Sequence, residues 1–187
     1  MKIYEHKGFP NPARIRIALA EKGLLDQVTF VAIDVTAGEH RRPEFLAKNP
    51  SATVPVLELD DGITISECTA ITEYIDHLSG TTELTGTDPK ERAVIHMMQR
   101  KIEGGLLDAI AAYFHHATDG LGANIETYQN ADWGRHQRDL AIATMHWMDT
   151  LLAERSFLAG ERFTVADITA MAGFAFADFV DLQIPGD

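Results

Sequence analysis

A single cysteine, Cys68, in 187 residues leaves the chain without an internal disulfide framework and without a CxxC redox couple. That scarcity is consistent with a reducing, cytoplasmic setting. No apolar run approaches the ~20 residues of a membrane span. Charges interrupt Met1 to Lys7, which reads as a strand and not as a signal peptide. Basic residues are also scarce. Sixteen Lys/Arg against 28 Asp/Glu give a net charge of −12, which argues against nucleic acid and anionic membrane as partners. No metal-ligand spacing stands out, since His115 and His116 are adjacent and point to different faces of a helix. The hydrophobic content of 45% is that of an ordinary globular chain of one or two domains. The few basic residues crowd the front, where residues 1–48 hold eight Lys/Arg against six Asp/Glu. Such a region attracts a small anion, although a solvated mixed-charge surface explains it equally well.

The chain changes period part-way along. Residues 2–79 read β-α-β-α-β-β-α, with strands at Lys2–His6 and Val28–Val35 around a helix at Pro12–Lys22. That helix puts Ile15, Ala18 and Leu19 inward and leaves Arg14 and Arg16 off its apolar face. Tyr4 reads as core. Val56–Leu59 and Ile63–Ile65 flank Asp60-Asp61-Gly62, a hairpin signal. A helix over 67–78 follows, with Ala70, Ile71, Tyr74, Ile75 and Leu78 on its core face.

Ser79–Asp88 is rich in Gly, Thr and Asp, so the predicted division is a first domain at 1–79, a linker at 80–89 and a helical domain at 90–187. Asp88-Pro89-Lys90-Glu91 starts a helix that runs to about His116. A second runs from Trp133 to Glu154 with Leu140, Met148, Leu151 and Leu152 inward. Phe163-Thr164-Val165-Ala166-Asp167-Ile168 is a capping box opening a nearly all-apolar helix over 166–180.

Two stretches carry chemistry. In Thr53-Val54-Pro55-Val56-Leu57 the proline cannot donate to a ladder, so it belongs at a strand mouth or bend. If the Val54–Pro55 bond is cis, the Val54 N–H and C=O turn outward, free to pair with an extended peptide. Glu67-Cys68-Thr69-Ala70-Ile71 opens a helix with an acid and a thiol beside free N–H groups. Together they read as a receptor for a small peptide-like anion.

The motifs PARIRIALAEKGL (12–24), GEHRRPEFLAKNPSATVPVLELDDG (38–62), ECTAITEYI (67–75) and FTVADI (163–168), in this order, resemble the glutathione transferases along essentially the whole chain. The stretch YFHHAT (113–118) resembles a branch shared by fungi and bacteria that lacks the usual Tyr, Ser or Cys catalytic residue. The resemblance implies an α/β plus all-α fold: a thioredoxin-like N-terminal domain, then an all-helical domain. Against that pattern the chain stops early after Leu182–Asp187, at the C-terminal edge of the substrate pocket.

By the same resemblance, Glu67 and Cys68 hold the γ-glutamyl end of glutathione, and Val54, between Thr53 and Pro55, pairs through its backbone with the cysteinyl portion. His40 reaches the glycyl carboxylate, with Lys48 or Arg42 as helper. Taken alone, Glu67 is also an ordinary helix-start acid, His40 a loop residue and Cys68 a small hydrogen-bonding side chain or a reactive thiol.

The loop Gly8-Phe9-Pro10-Asn11-Pro12 lacks the Tyr, Ser or Cys with which most of the family activates the thiol. Asn11 is left as an amide donor, with the dipole of the helix at Pro12–Arg14 behind it. His115 is the second candidate, a base able to take the thiol proton through a held water. The serine one turn earlier in the look-alike branch is here Ala111, and a helix C-terminal histidine favoured by the dipole accounts for His115 equally well.

The resemblance implies conjugation of glutathione, as co-substrate with no further cofactor, to a small hydrophobic electrophile. The pocket would be lined by Phe9, Tyr113, Phe114 and the last helix, in a cytoplasmic homodimer that serves detoxification. Two alternatives stand: a non-catalytic glutathione-fold binding module, and a glutathione-dependent peroxidase or disulfide reductase.

Overall fold

The computed structural model describes residues 1–182; residues 183–187 of the expected helical domain lie outside it. The chain forms two compact units, Met1–Thr85 and Gly86 onward. The first holds strands β1 (Lys2–Glu5), β2 (Thr29–Ala32), β3 (Val56–Glu58) and β4 (Thr64–Ile65) with helices α1 (Pro10–Glu21), α2 (Pro43–Leu46) and α3 (Cys68–Leu78). The second is helical: α4 (Pro89–Ile102), a π-helical turn at Glu103–Leu107, α5 (Asp108–Ala117), α6 (Ala131–Leu152) and α7 (Val165–Phe179).

The sheet runs β2-β1-β3-β4, with β1 and β2 parallel and the other pairs antiparallel. Ile3 and Leu57 face α1 and α3, where Ile15, Leu19, Ile71 and Ile75 complete the core. Each such fully buried Ile or Leu is worth roughly 1.5–3 kcal/mol relative to leaving it in water. This is the thioredoxin-like order implied by the motifs.

The topology gathers four chain segments at one end of this sheet. Parallel pairing sends β1 and β2 out at the same end. The pairing of Tyr4 with Val56 makes that end the start of β3, and the pairing of Leu57 with Ile65 makes it the end of β4. Hence the chain on either side of Val54–Pro55, the loop into α1, the segment after β2 and the head of α3 all lie there.

Several inward assignments need correction. Arg14 is buried, not off the apolar face of α1. Arg16 donates to the buried carboxylate of Glu5 and lies 3.7 Å from the Phe30 ring centroid. Tyr4 is half-buried and donates to Glu58 Oε2 at 2.8 Å instead of packing as core. On α3, Leu78 and Ala70 are exposed while Thr72 and Asp76 are buried. Asp76 Oδ2 accepts from Thr85 N–H at 2.8 Å and Thr85 Oγ at 2.7 Å, and Lys22 Nζ lies 2.9 Å from Oδ1. Buried charges need partners, and this trio supplies them.

The helical unit packs around Ile95, Ile102, Leu106, Ile110, Met145, Met148 and Phe176. Its starts are local. Asp88 accepts from Lys90 N–H and Glu91 N–H. Thr164 and Asp167 form the reciprocal capping box, and Asp167 Oδ1 also accepts from Leu158 N–H at 2.9 Å. Leu140 and Leu152 face outward on α6, whose buried stripe is Gly134, Ala141, Thr144, Met145 and Met148. A Cβ at Gly105 would sit 2.6 Å from Thr144 Oγ, so this close approach requires glycine. No helix is long and apolar enough to cross a membrane among the described residues.

Acid sensitivity follows from two carboxylates. Lys48, with Lys2 and Tyr4, holds Glu58 down at about 2; Arg162, with Thr87, does the same for Glu91, also at about 2. A carboxyl whose folded value lies below its unfolded value of 4.5 stabilises fully above that pH and loses the contribution as the pH falls towards 2. The urea midpoint should therefore drop steeply between about pH 5 and pH 3, and less steeply in Glu91→Gln. Equal slopes would show that Glu91 adds nothing.

Candidate functional site

At the gathering end of the sheet the Val54–Pro55 bond is cis. Among the described residues Val54 N–H and C=O make no main-chain hydrogen bond. Their presentation depends on a residue the sequence did not single out. Buried Asn49 donates from Nδ2 to Thr53 O and Thr53 Oγ, both at 2.9 Å, and accepts from Ser51 N–H at 3.1 Å. An Asn that closes a turn on itself is a recognisable local signal in Asn49-Pro50-Ser51.

Extending the pairing of Leu57 with Ile65 brings Pro55 level with Glu67. Glu67 precedes the first residue of α3 with φ 70° and ψ 119°, a backbone that costs a non-glycine residue of order 1–3 kcal/mol. Its side chain is exposed and has no partner among the described residues. The first main-chain bond of α3 runs from Ile71 N–H to Glu67 O, so the amides before Ile71 carry the positive end of the helix dipole. Buried Cys68 donates its thiol to Asn11 O at 3.4 Å and lies 3.6 Å from Asn11 Oδ1, which ties the heads of α3 and α1 together.

The helix α1 starts at Pro10, two residues earlier than the sequence indicates, so Asn11 is in its first turn. Proline on both sides leaves Asn11 N–H as the one amide free at this helix start, because Ala13 N–H already bonds Phe9 O. Asn11 Oδ1 accepts from Arg14 Nη1 at 3.0 Å, and its Nδ2 has no partner among the described residues. The side-chain amide is therefore oriented with its donor side open. Phe9 caps this helix, with its ring centroid 4.2 Å from that of His6.

His40 sits in a short helical turn, Glu39–Arg41, beyond β2. It is 6% exposed with Nδ1 unpartnered, and burial, then the charge of Arg41, pushes its pKa down. Lys48 is engaged: its ammonium contacts Glu58 and stands 4.8 Å from the Tyr4 ring centroid. Arg42 pairs with Glu39 at 3.2 Å. Of the three basic side chains named for one carboxylate, His40 alone has no carboxylate partner among the described residues.

In the helical unit, Tyr113 and Phe114 are half-buried against the core, with Phe114 edge-on to Phe176 (5.4 Å) and Phe179 (5.9 Å). His115, at the end of α5, has its Nδ1 2.7 Å from Glu126 Oε1. Glu126 belongs to the loop before α6 and was invisible as a site residue in the sequence. Ala111, one turn before His115, adds no polar atom. No cluster of three or more metal-ligating side chains exists among the described residues.

The first unit is thus a thioredoxin-like sheet whose crowded end presents an open backbone pair, a strained carboxylate and a helix head, and an all-helical unit follows it in the chain. Residues 10–78 match the family model for the glutathione S-transferase N-terminal domain. The sequence is 59% identical to glutathione S-transferase 2 of Saccharomyces cerevisiae, over 99% of this chain and 79% of that one. The crystal structure of Gtt2 from the same yeast superposes with a TM-score of 0.97 at 59% identity, covering 99% of this chain and 89% of that one. A glutathione S-transferase domain-containing protein of Marinobacter aquaeolei VT8 gives 0.98 at 60% identity, covering 100% and 91%. The chain belongs to the glutathione transferase family and is an enzyme of that class, with fungal and bacterial relatives.

Proposed function

We propose that the protein conjugates the glutathione thiol to small hydrophobic electrophiles, acting in detoxification as a cytoplasmic homodimer. The observation that carries this reading is Glu67: an unpaired carboxylate kept in a costly backbone conformation, level with Pro55 and so one residue along from the open Val54 backbone. Strain of this kind persists where surrounding structure enforces it for a use.

In this reading Glu67 accepts from the γ-glutamyl ammonium, and the amides at the head of α3, with Cys68, take up its carboxylate. Val54, set between Thr53 and Pro55, pairs with the cysteinyl backbone as an added strand would. His40 donates to the glycyl carboxylate, and Lys48 supports it only through the field of the Glu58 cluster. A free thiol with pKa ~8.5 is ionised by a few per cent at pH 7, so catalysis rests on stabilising the thiolate. Asn11 offers that stabilisation from Nδ2, and His115 accepts the proton. Phe9, Tyr113 and Phe114 supply apolar surface for the electrophile.

His115→Ala should lower kcat by roughly tenfold to a hundredfold while KM for glutathione changes little, because the lost contact belongs to proton transfer and not to binding. Steady-state kinetics with chlorodinitrobenzene measure this, and unchanged kcat removes His115 from the mechanism. Running peroxide and mixed-disulfide turnover beside that assay separates conjugation from reduction. Binding without any turnover would make the protein a binding module.

A further inference from the structure

The loop between α5 and α6 folds back on the end of α5 through several side chains. Gln129 Nε2 donates to His115 O at 2.8 Å and Thr118 O at 2.9 Å, and Asn130 N–H donates to His116 Nδ1 at 3.1 Å. Glu126 differs from these, because it reaches the imidazole of the one residue assigned a proton-transfer role. Its side chain is 10% exposed, and Oε1 accepts both from His115 at 2.7 Å and from Leu121 N–H at 2.8 Å. A carboxylate has only acceptors to offer, so the contact assigns the ring proton to Nδ1 and leaves the Nε2 lone pair as the basic site. Phe114 packs edge-on against the same ring, with centroids 5.0 Å apart.

We propose that Glu126 is the positioning residue for His115, fixing its Nδ1–H tautomer and facing the positive charge that the ring acquires on accepting a proton. The inference rests on the reading of His115 as the thiol's proton acceptor. The thiol S–H bond breaks, an Nε2–H bond forms, and the resulting imidazolium stands against the Glu126 carboxylate. The thiolate then attacks the electrophile, and the ring returns its proton to solvent or to the leaving group. A base oriented by a third group is the general logic of an activated nucleophile.

Gly120 supports this placement independently. It adopts φ +55°, and a Cβ there would meet Glu126 Oε1 at 2.3 Å and Cδ at 2.7 Å. The carboxylate therefore occupies the space a side chain at 120 would need. Gly120→Ala should dislodge Glu126 without changing its chemistry.

The test combines kinetics with nitrogen-15 NMR of the imidazole at a pH where the ring is neutral. Glu126→Ala and Gly120→Ala are each expected to replace the Nδ1–H signature of His115 with the Nε2–H form or a mixture. Both should lower kcat about tenfold with KM for glutathione nearly unchanged, and neither should lower it further in a His115→Ala background. Persistence of the Nδ1–H form in both variants would overturn the proposal, as would undiminished kcat in an enzyme whose His115→Ala variant is impaired. If His115→Ala itself turns over normally, the proton-acceptor role is lost, and with it the use proposed for Glu126. The spectra then report separately whether the carboxylate sets the ring.

Discussion

Glu67→Ala is expected to pass unretained through a glutathione column and to bind glutathione at least about a hundredfold more weakly. A hydrogen bond to a charged group contributes about 1.5–3 kcal/mol, and the truncation also leaves the ligand ammonium unpaired against the protein. The carboxylate is exposed and has no internal partner among the described residues, so its loss removes no folding contact. Two further variants separate binding from backbone strain. Glu67→Gly relieves the positive φ of 70° and should raise stability by up to about 1 kcal/mol while binding as poorly as Glu67→Ala. Glu67→Gln keeps an acceptor without the charge and should fall between wild type and alanine. Calorimetric titration and thermal melts of the three variants check the series. An alanine variant that binds like wild type removes Glu67 from the site.

Asp76→Ala is expected to cost the first unit about 3–5 kcal/mol, the penalty for removing one member of a buried charge pair. The Lys22 side chain is 5% exposed and that of Asp76 is 0% exposed, so the orphaned ammonium has no ready access to water. Thr85 would lose its acceptor for both N–H and Oγ. Lys22 Nζ keeps its bonds to Thr81 O at 2.8 Å and Thr81 Oγ at 3.1 Å, which makes the lower end of the range reasonable. Replacing Lys22 and Asp76 together by apolar residues should recover much of the loss, because no unpaired charge remains. Urea unfolding measures both. A single variant that loses less than about 1 kcal/mol would mean the ammonium finds another partner.

What the sequence discloses and what it conceals divide along a physical line. Helix starts are local, so Asp88, Thr164 and Asp167 announce themselves within four residues of the groups they satisfy. Pro55 and Asp60-Asp61-Gly62 likewise mark bends by backbone chemistry. The sheet end could be assembled because each candidate segment adjoins a strand whose direction is fixed. Long-range pairing is different. Arg14 reads as off the apolar face of its helix, and Asp76 is absent from the expected core face of the 67–78 helix, because nothing nearby in sequence shows that the fold encloses them. Leu140 and Leu152 look like core by hydrophobicity, yet α6 turns its small residues inward, since Thr144 meets Gly105 there at close range. The π-helical turn is hidden in a continuous helical pattern. Glu126 follows His115 by eleven residues in a stretch that reads as plain loop, and only the folded loop reveals the pair. Lys48, named as a helper to His40, pairs instead with Glu58, ten residues further along the chain.

The most direct test of the central claim is an amide nitrogen–proton NMR titration with glutathione. Saturable shifts are expected at Val54, Glu67 and the first amides of α3, with an affinity in the millimolar range or tighter. Unmoved amides at those positions at saturating glutathione, or shifts confined to another part of the molecule, would contradict it.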